Sequence, residues 1–296
     1  MLVSRSEFVT LRQQRMHLRH WGAPSSRLLI LLHGWMDSSA TFQFLVDALS
    51  PDWHVVAPDW RGFGDSGWNT GSYYSADYLA DLDALLEHLS PSRPVTLAGH
   101  SMGAMVAGLY AGIRPERVHR LALIEGFGLA ETRPEEAPGR YARWLKELRH
   151  APVFSALQST DAVADKLIER NPRLTADHAR WLAQQLTRTD AATGALHYRA
   201  DPRHKMVNPV LYRLPEAQAC WRRIQCPVLW VIGGDMWDHP MAKGVFDTLD
   251  ARRACFSNLR EATIPDAGHM VQWEQPQRLA EALEAFFGDT GGAPTP

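Results

Sequence analysis

The sequence predicts an α/β fold, with a mostly parallel central sheet flanked by helices and with a helical cap domain inserted. Two features of the chain lead to this prediction. Runs of consecutive apolar residues, such as RLLILLHG at 27–34 and PVTLAG at 94–99, are typical of strands buried on both faces of a parallel sheet. These runs alternate with segments of helical spacing, and the alternation implies parallel strands joined by right-handed crossovers.

The first 130 residues contain these elements in a regular order. Residues 7–20 alternate loosely between polar and apolar side chains around the turn QQR, which predicts an N-terminal β-hairpin. The apolar runs predict strands at 27–34, 54–59, 94–99 and 118–126, and the helical spacing predicts helices at 40–49, 74–89 and 102–113.

The alternation stops after residue 130. Residues 131–215 carry helical segments separated by prolines, without a run typical of a buried strand. We therefore expect an all-helical cap over one edge of the sheet. Its helices are predicted at 140–150, 161–170 and 176–186.

The last third of the chain returns to the pattern of the first. Strands are predicted at 227–234 and near 259–269, and a final helix at about 275–287. The glycine- and proline-containing end is typical of a disordered tail. The domains are an α/β core formed by 1–130 and 216–290, a helical cap at 131–215, and a disordered tail at 291–296.

Composition excludes several classes of function. The chain has 296 residues, a net charge of −2 and no basic stripe, so a nucleic-acid surface is not indicated. No apolar run approaches the roughly 18 residues of a membrane span, and the N-terminus lacks the pattern of a secretory signal. Three cysteines at unremarkable spacing (Cys220, Cys226 and Cys255) indicate reduced thiols of a cytoplasmic protein rather than disulfides or a zinc site. The oligomeric state, monomer or homodimer, stays open.

The stretch LAGHSMGAMVAG at 97–108 carries the first candidate for catalysis. Ser101 stands between Gly99 and Gly103, after a strand pattern and before a helix pattern. This is the context of a G-x-S-x-G nucleophile elbow, in which small neighbours permit a tight turn and the helix N-terminus directs amides at an oxyanion. The sequence therefore predicts that Ser101 is a nucleophile.

A serine nucleophile needs a base and oxyanion donors. His269 follows the last strand pattern and precedes the last helix, which makes it the candidate base among 13 histidines. The backbone N–H groups of Trp35 and Met102 are the candidate oxyanion hole, because each follows a strand and opens a helix pattern. We interpret His33 and His100 as structural neighbours of the site.

Taken together, these motifs resemble the α/β-hydrolase superfamily, in its serine-nucleophile, esterase-like branch with a helical cap. The resemblance covers nearly all residues from about 7 to 287. It rests on HGW at 33–35, PDWRGFGDSG at 58–67, GHSMG at 99–103 and GH at 268–269. The resemblance implies a catalytic triad in the chain order serine, acid, histidine, and a structural role for the 58–67 turn.

The acid of the implied triad has three candidates. In most members of the superfamily the acid follows a late strand in a loop of the form G-x-x-D-x-x-x-P, and GGDMWDHP at 233–240 departs from that spacing. Asp235 stands one place early and Asp238 two places late. In haloalkane-dehalogenase-like members the acid follows the preceding strand, where Glu125 stands here. We expect Asp235, with Glu125 as the alternative and Asp238 third, and both leading candidates could approach His269.

The expected activity is hydrolysis of a small or medium, apolar carboxylic ester through an acyl-enzyme, without a metal or organic cofactor. A serine in place of aspartate argues against dehalogenase and epoxide-hydrolase chemistry. Aromatic cap residues, above all Phe127, Trp144 and Trp181, are candidates for the substrate pocket. Alternatives on the same triad are a carbon–carbon hydrolase, a perhydrolase and an acyltransferase. A carbon–carbon hydrolase would use polar cap groups such as Arg143 and Arg180, and a non-catalytic binder is a further alternative.

Overall fold

Eight strands form one central sheet in the described parts of the chain, which are residues 1–24, 26–235 and 244–288 of a computed structural model. The strands in chain order are β1 (Arg5–Leu11), β2 (Gln14–Trp21), β3 (Arg27–Leu32), β4 (Trp53–Pro58), β5 (Val95–His100), β6 (Val118–Ile124), β7 (Thr187–Thr189), β8 (Leu196–Tyr198), β9 (Val228–Gly233) and β10 (Leu259–Ile264). The sheet order is β1-β2-β4-β3-β5-β6-β9-β10, and β7 pairs with β8 in a separate sheet. Only the β1–β2 and β2–β4 pairs of the large sheet are antiparallel, which confirms the predicted hairpin and the mostly parallel sheet.

Helices cover both faces of this sheet. They are α1 (Gln43–Ala48), α2 (Ser75–Leu89), α3 (Met102–Ile113), α4 (Ala137–Arg149), α5 (Thr160–Arg170), α6 (Ala176–Leu186), α7 (Leu214–Trp221), α8 (Leu249–Arg253), α9 (Val271–Glu274) and α10 (Pro276–Gly288). Helices α2, α3 and α7 pack on one face, and α1 and α10 pack on the other. The sequence did not predict α7 and α8, because eight and five residues are too few for a clear helical period.

The strands explain why the core has two halves. In β3, Ile30 and Leu32 join the cluster that contains α2 and α3, whereas Leu29 and Leu31 join the cluster that contains α1 and α10. All four side chains are fully buried. Successive side chains of a strand point to opposite faces, so a strand covered by helices on both sides is apolar at every position.

The segment predicted as an all-helical cap contains α4, α5 and α6, but also the short antiparallel pair β7–β8. The expectation of an all-helical cap was therefore wrong. Strands of three residues are too short to show an alternating pattern. Their turn is fixed locally, because the Asp190 carboxylate accepts bonds from the N–H groups of Ala192 and Thr193.

Helices α5 and α6 dock on the core through a third apolar cluster. Phe44 of α1 and Trp273 of α9 pack there against Leu182 and Ala183 of α6. The ring of Trp181 lies 5.1 Å from that of Phe44. The predicted cap, residues 131–215, thus meets the core next to α9, which follows the loop that carries His269. Among the described residues, none of the helices combines the length and the hydropathy that crossing a bilayer requires.

Candidate active site

Ser101 lies at a sharp turn between β5 and α3. Its backbone has φ 52° and ψ −115°, a strained conformation for a residue with a side chain. A Cβ atom on Gly99 would lie 2.5 Å from the backbone of Gly103 and Ala104, and a Cβ on Gly103 would collide with the carbonyl of Leu32. Both glycines are therefore required by close backbone approach, as the elbow motif predicts.

His269 lies in the loop after β10 and contacts both Ser101 and a carboxylate. Its Nε2 is 3.1 Å from Ser101 Oγ, and its Nδ1 is 3.4 Å from Glu125 Oε2. The second distance is at the long end for a hydrogen bond. The three side chains thus form a continuous chain from hydroxyl to imidazole to carboxylate.

Glu125 follows β6 directly, and both its backbone and its side chain form hydrogen bonds. Its backbone has φ 53°, and its N–H donates to the carbonyl of Val231 at 3.0 Å. Its Oε1 accepts a 2.5 Å bond from the Gly233 N–H at the end of β9. Burial raises the pKa of Glu125, and the bonds from His269 and Gly233 oppose that rise. Only 4% of the residue is exposed, so its position depends on these donors.

Asp235, the expected acid, lies elsewhere. Its carboxylate forms an ion pair with Arg173 of the cap and is 46% exposed. Its backbone N–H donates to the carbonyl of Ala267 at 3.0 Å. The geometry therefore brings Glu125, rather than Asp235, to His269. Asp238, the third candidate, lies outside the described residues.

The predicted oxyanion donors lie on the two backbone segments next to Ser101. Met102 is the first residue of α3, so its N–H has no acceptor within its own helix. A Cβ on Gly34, the residue before Trp35, would lie 3.2 Å from Ser101 Cβ and 2.9 Å from His100 Nδ1. The turn that contains Trp35 therefore lies directly against Ser101.

His33 and His100 hold backbone around the site, and both are buried. His33 Nδ1 is 2.7 Å from the carbonyl of Gly34, and its Nε2 accepts a 3.0 Å bond from the Trp60 N–H. Burial lowers the pKa of His33 to about 4, and this neutral ring holds the backbone at Gly34 and Trp60 together. His100 Nε2 is 2.7 Å from the carbonyl of His269, and burial lowers the pKa of His100 well below its usual value.

The turn at 58–67 is a hydrogen-bonded support. Asp59 accepts bonds from the Ser39 N–H at 2.7 Å, the Asp65 N–H at 2.9 Å and His17 Nδ1 at 2.7 Å. The ligating atoms of His17, Asp59 and Asp65 lie within 4.8 Å of one another, a separation that would suit a cation. All three side chains have protein partners, since His17 Nδ1 donates to Asp59 and Asp65 pairs with Arg199. We therefore interpret the cluster as structural. The cysteines are free thiols.

The three predicted pocket residues lie in three different surroundings. Phe127 is buried in the core, with its ring edge-on to Trp230 at 5.3 Å, and Trp181 packs on Phe44 in the interface between cap and core. Trp144 Nε1 donates to Ser72 Oγ at 2.8 Å and lines a surface cavity of about 490 Å³ whose lining includes neither Ser101 nor His269. Both side chains therefore pack against neighbouring rings, and their place in a substrate pocket stays a prediction, because an aromatic side chain in a cap segment is as well suited to packing as to binding.

Two residues near His269 were not predicted from the sequence. The Oε2 atom of Glu274 accepts a 2.8 Å bond from the N–H of Gly268, the neighbour of His269. Arg173 reaches the same region from the cap and lies 4.0 Å from Glu274 Oε2. Neither residue belongs to a recognisable motif, so only the tertiary structure reveals them.

Comparisons with known proteins support the fold and the family of this chain. A family model described as alpha/beta hydrolase fold matches residues 27–276. A serine hydrolase-like protein from Danio rerio is 25% identical over 285 residues, which cover 90% of this chain and 83% of that protein. A 3-hydroxybutyrate-oligomer hydrolase from Cupriavidus necator is 27% identical over 289 residues, which cover 93% of each chain. The thioesterase domain from the curacin biosynthetic pathway shares the fold, with a TM-score of 0.83 at 23% identity over 95% of this chain and 99% of that one.

Proposed function

Because the chain belongs to the alpha/beta hydrolase fold family, we propose that it cleaves a carboxylic ester of a small or medium, apolar acyl group through an acyl-enzyme. The observation that carries the proposal is the contact chain from Ser101 Oγ through His269 to Glu125. A hydroxyl is a weak nucleophile by itself, and an adjacent imidazole oriented by a carboxylate is the arrangement that activates it.

The acylation step follows from these positions. Ser101 Oγ attacks the acyl carbonyl carbon while its proton passes to His269 Nε2. The backbone N–H groups of Trp35 and Met102 stabilise the negative oxygen of the tetrahedral intermediate. The ester C–O bond then breaks, and the imidazolium returns its proton to the departing alkoxide, which leaves as the alcohol.

Deacylation repeats the same transfers with water. His269 takes a proton from a water molecule that attacks the acyl carbon, and the second intermediate releases the carboxylic acid as Ser101 regains its proton. Throughout, Glu125 accepts the Nδ1–H bond and stabilises the charged imidazole. We propose Glu125, in place of Asp235, as the acid of the triad.

The surroundings support an ester rather than an acidic diketone as the substrate. Arg143 pairs with Glu147, and Arg180 pairs with Asp177, each on its own helix and largely exposed to solvent. Neither arginine is thus placed to bind a substrate carboxylate, as the carbon–carbon hydrolase alternative would require. The relatives named as a serine hydrolase-like protein and as a 3-hydroxybutyrate-oligomer hydrolase also favour hydrolysis.

A series of p-nitrophenyl esters from acetate to decanoate tests the proposal, with wild type and Ser101→Ala. We expect wild type to hydrolyse short or medium esters, and Ser101→Ala to lose at least about 10³-fold in kcat. A fluorophosphonate probe should label wild type and spare the variant.

Other results separate the alternatives. If the probe labels Ser101 while every ester stays intact, the nucleophile is correct and the ester class is wrong, which favours a carbon–carbon hydrolase or an acyltransferase. If neither reaction occurs, the triad assignment fails and a non-catalytic binder becomes the better account.

A further inference from the structure

Arg173 connects the cap to two carboxylates of the core. It lies between α5 and α6, and its guanidinium pairs with Asp235 after β9 and lies 4.0 Å from Glu274 of α9. The Arg173 and Asp235 side chains are 41% and 46% exposed, whereas the Glu274 side chain is only 4% exposed. An exposed pair contributes little by itself, but a buried carboxylate depends on its counterion.

Each of the two carboxylate residues holds the segment immediately before His269. The Asp235 N–H donates to the carbonyl of Ala267 at 3.0 Å, and Glu274 Oε2 accepts from the Gly268 N–H at 2.8 Å. Arg173 therefore contacts both of the residues that bind positions 267 and 268. The bond from Gly268 is strongest when Glu274 is ionised, since a carboxylate is the better acceptor.

We propose that Arg173 is a positioning residue through which the docked cap fixes the loop of His269 and balances the negative charge around it. The inference rests on the proposed function, because it assigns Arg173 a role in the reaction of Ser101 and His269. It also gives Asp235 a role other than triad acid, namely the anchor for this cap residue.

The charges around the loop determine the expected effect. Among the described residues, Glu125 from the end of β6, Glu274 from α9 and Asp235 from the end of β9 contribute negative charge. His100 from β5 is neutral, because burial lowers its pKa well below the usual value. Burial raises the pKa of Glu274, and the guanidinium opposes that rise. Without this cation, Glu274 takes up a proton at higher pH and its bond to the Gly268 N–H weakens, whereas loss of the Asp235 charge has the opposite effect on Glu274.

The test compares kcat/KM against pH for wild type, Arg173→Ala, Arg173→Lys and the control Arg170→Ala, an exposed cap arginine three positions away. We expect the acid limb of the Arg173→Ala profile to move to higher pH by about 0.5 unit, with kcat reduced several-fold and KM little changed. Arg173→Lys should restore much of the wild-type profile, and Arg170→Ala should match it. A purely structural contact would lower activity without moving the limb.

Asp235→Asn provides a second variant with the opposite sign. It removes a negative charge, so its acid limb should move to lower pH, and it tests the network even if Arg173→Ala does not fold. Profiles of Arg173→Ala and Asp235→Asn that both coincide with wild type would overturn the inference.

An NMR titration separates this inference from the proposed function. The ring resonances of His269, assigned by comparison with His269→Gln, report the same displacement in wild type and Arg173→Ala without turnover. If every ester stays intact, a displaced titration midpoint still supports the charge balance around His269, and an unmoved midpoint contradicts it.

Discussion

The ends of β6 and β9 are neighbours in the sheet, and each is followed by an acidic residue, yet the two acids have opposite surroundings. Glu125 is buried, bonded to His269 and supported by the N–H of Gly233. The Asp235 carboxylate is half exposed and paired with a cap arginine. A position at the carboxyl edge of a parallel sheet is therefore not enough to identify a catalytic acid.

The ends of both strands contribute to the position of the Glu125 carboxylate. The left-handed backbone at Glu125, with φ 53°, allows its side chain to meet both Gly233 and His269. Gly233 at the end of β9 donates its backbone N–H to that carboxylate. Asp235, two residues later, pairs with Arg173 instead. With Glu125 as the proposed acid of the triad, the end of β9, which usually supplies the acid in the superfamily, supports the carboxylate that follows β6.

The largest difference in kcat should appear when the two acids are neutralised in separate variants. We expect Glu125→Gln to lower kcat by about 10²–10⁴-fold, because the imidazole loses the carboxylate that orients it and stabilises its charge. Asp235→Asn should lower kcat by less than about 5-fold, since its carboxylate contacts Arg173 instead. Steady-state kinetics with the best p-nitrophenyl ester measure both variants.

The double variant Glu125→Gln/Asp235→Asn serves as the control for mutual rescue. If Asp235 does not take the place of Glu125 as the hydrogen-bond partner of His269, the double variant should match Glu125→Gln within about 3-fold, apart from the small effect of Asp235→Asn itself. A larger loss in Asp235→Asn than in Glu125→Gln would reverse the assignment of the acid.

Two glycines beside these acids provide the next test. A Cβ on Gly126 would collide with Ala104 Cβ and lie 3.2 Å from Ala104 Cα, whereas a Cβ on Gly234 meets only ordinary contacts at 3.4 Å. Gly126→Ala should therefore cost about 1–3 kcal/mol in the free energy of unfolding and also lower kcat, because the adjacent Glu125 must shift. Gly234→Ala should stay within about 1 kcal/mol of wild type.

Thermal unfolding and ester kinetics on both glycine variants check this contrast. Equal stability of the two variants would mean that the backbone after β6 adapts easily. In that case the tight contact with α3 does not determine the position of Glu125.

The sequence predicts those features that depend on local patterns. The buried strands have apolar residues at every position, and Ser101 is marked by a strand, a tight turn and a helix in succession. His269 is marked by its position between the last strand and the last helix. In the structure, His269 Nε2 lies 3.1 Å from Ser101 Oγ.

The remaining features depend on tertiary distances. Glu125 and Asp235 both follow strands, and their local patterns do not tell which carboxylate meets His269. Phe127 and Trp181 are aromatic in segments near the cap, but whether they face a pocket or the core depends on packing across elements. Arg173 lies in an ordinary polar loop, and its partners are distant in sequence.

The smallest expected effect concerns the pH dependence of stability at Glu125. Burial raises the pKa of this carboxyl in the folded protein, so the folded chain keeps a proton that the unfolded chain has lost. The free energy of unfolding of wild type should therefore fall relative to Glu125→Gln as pH rises above about 4.5, until the folded carboxyl is also ionised. Urea unfolding of both proteins at several pH values between 4 and 7 measures this difference. A constant difference would indicate that the bonds from His269 and Gly233 fully offset the cost of burying the charge, and the comparison between the two strand ends would then rest on geometry alone.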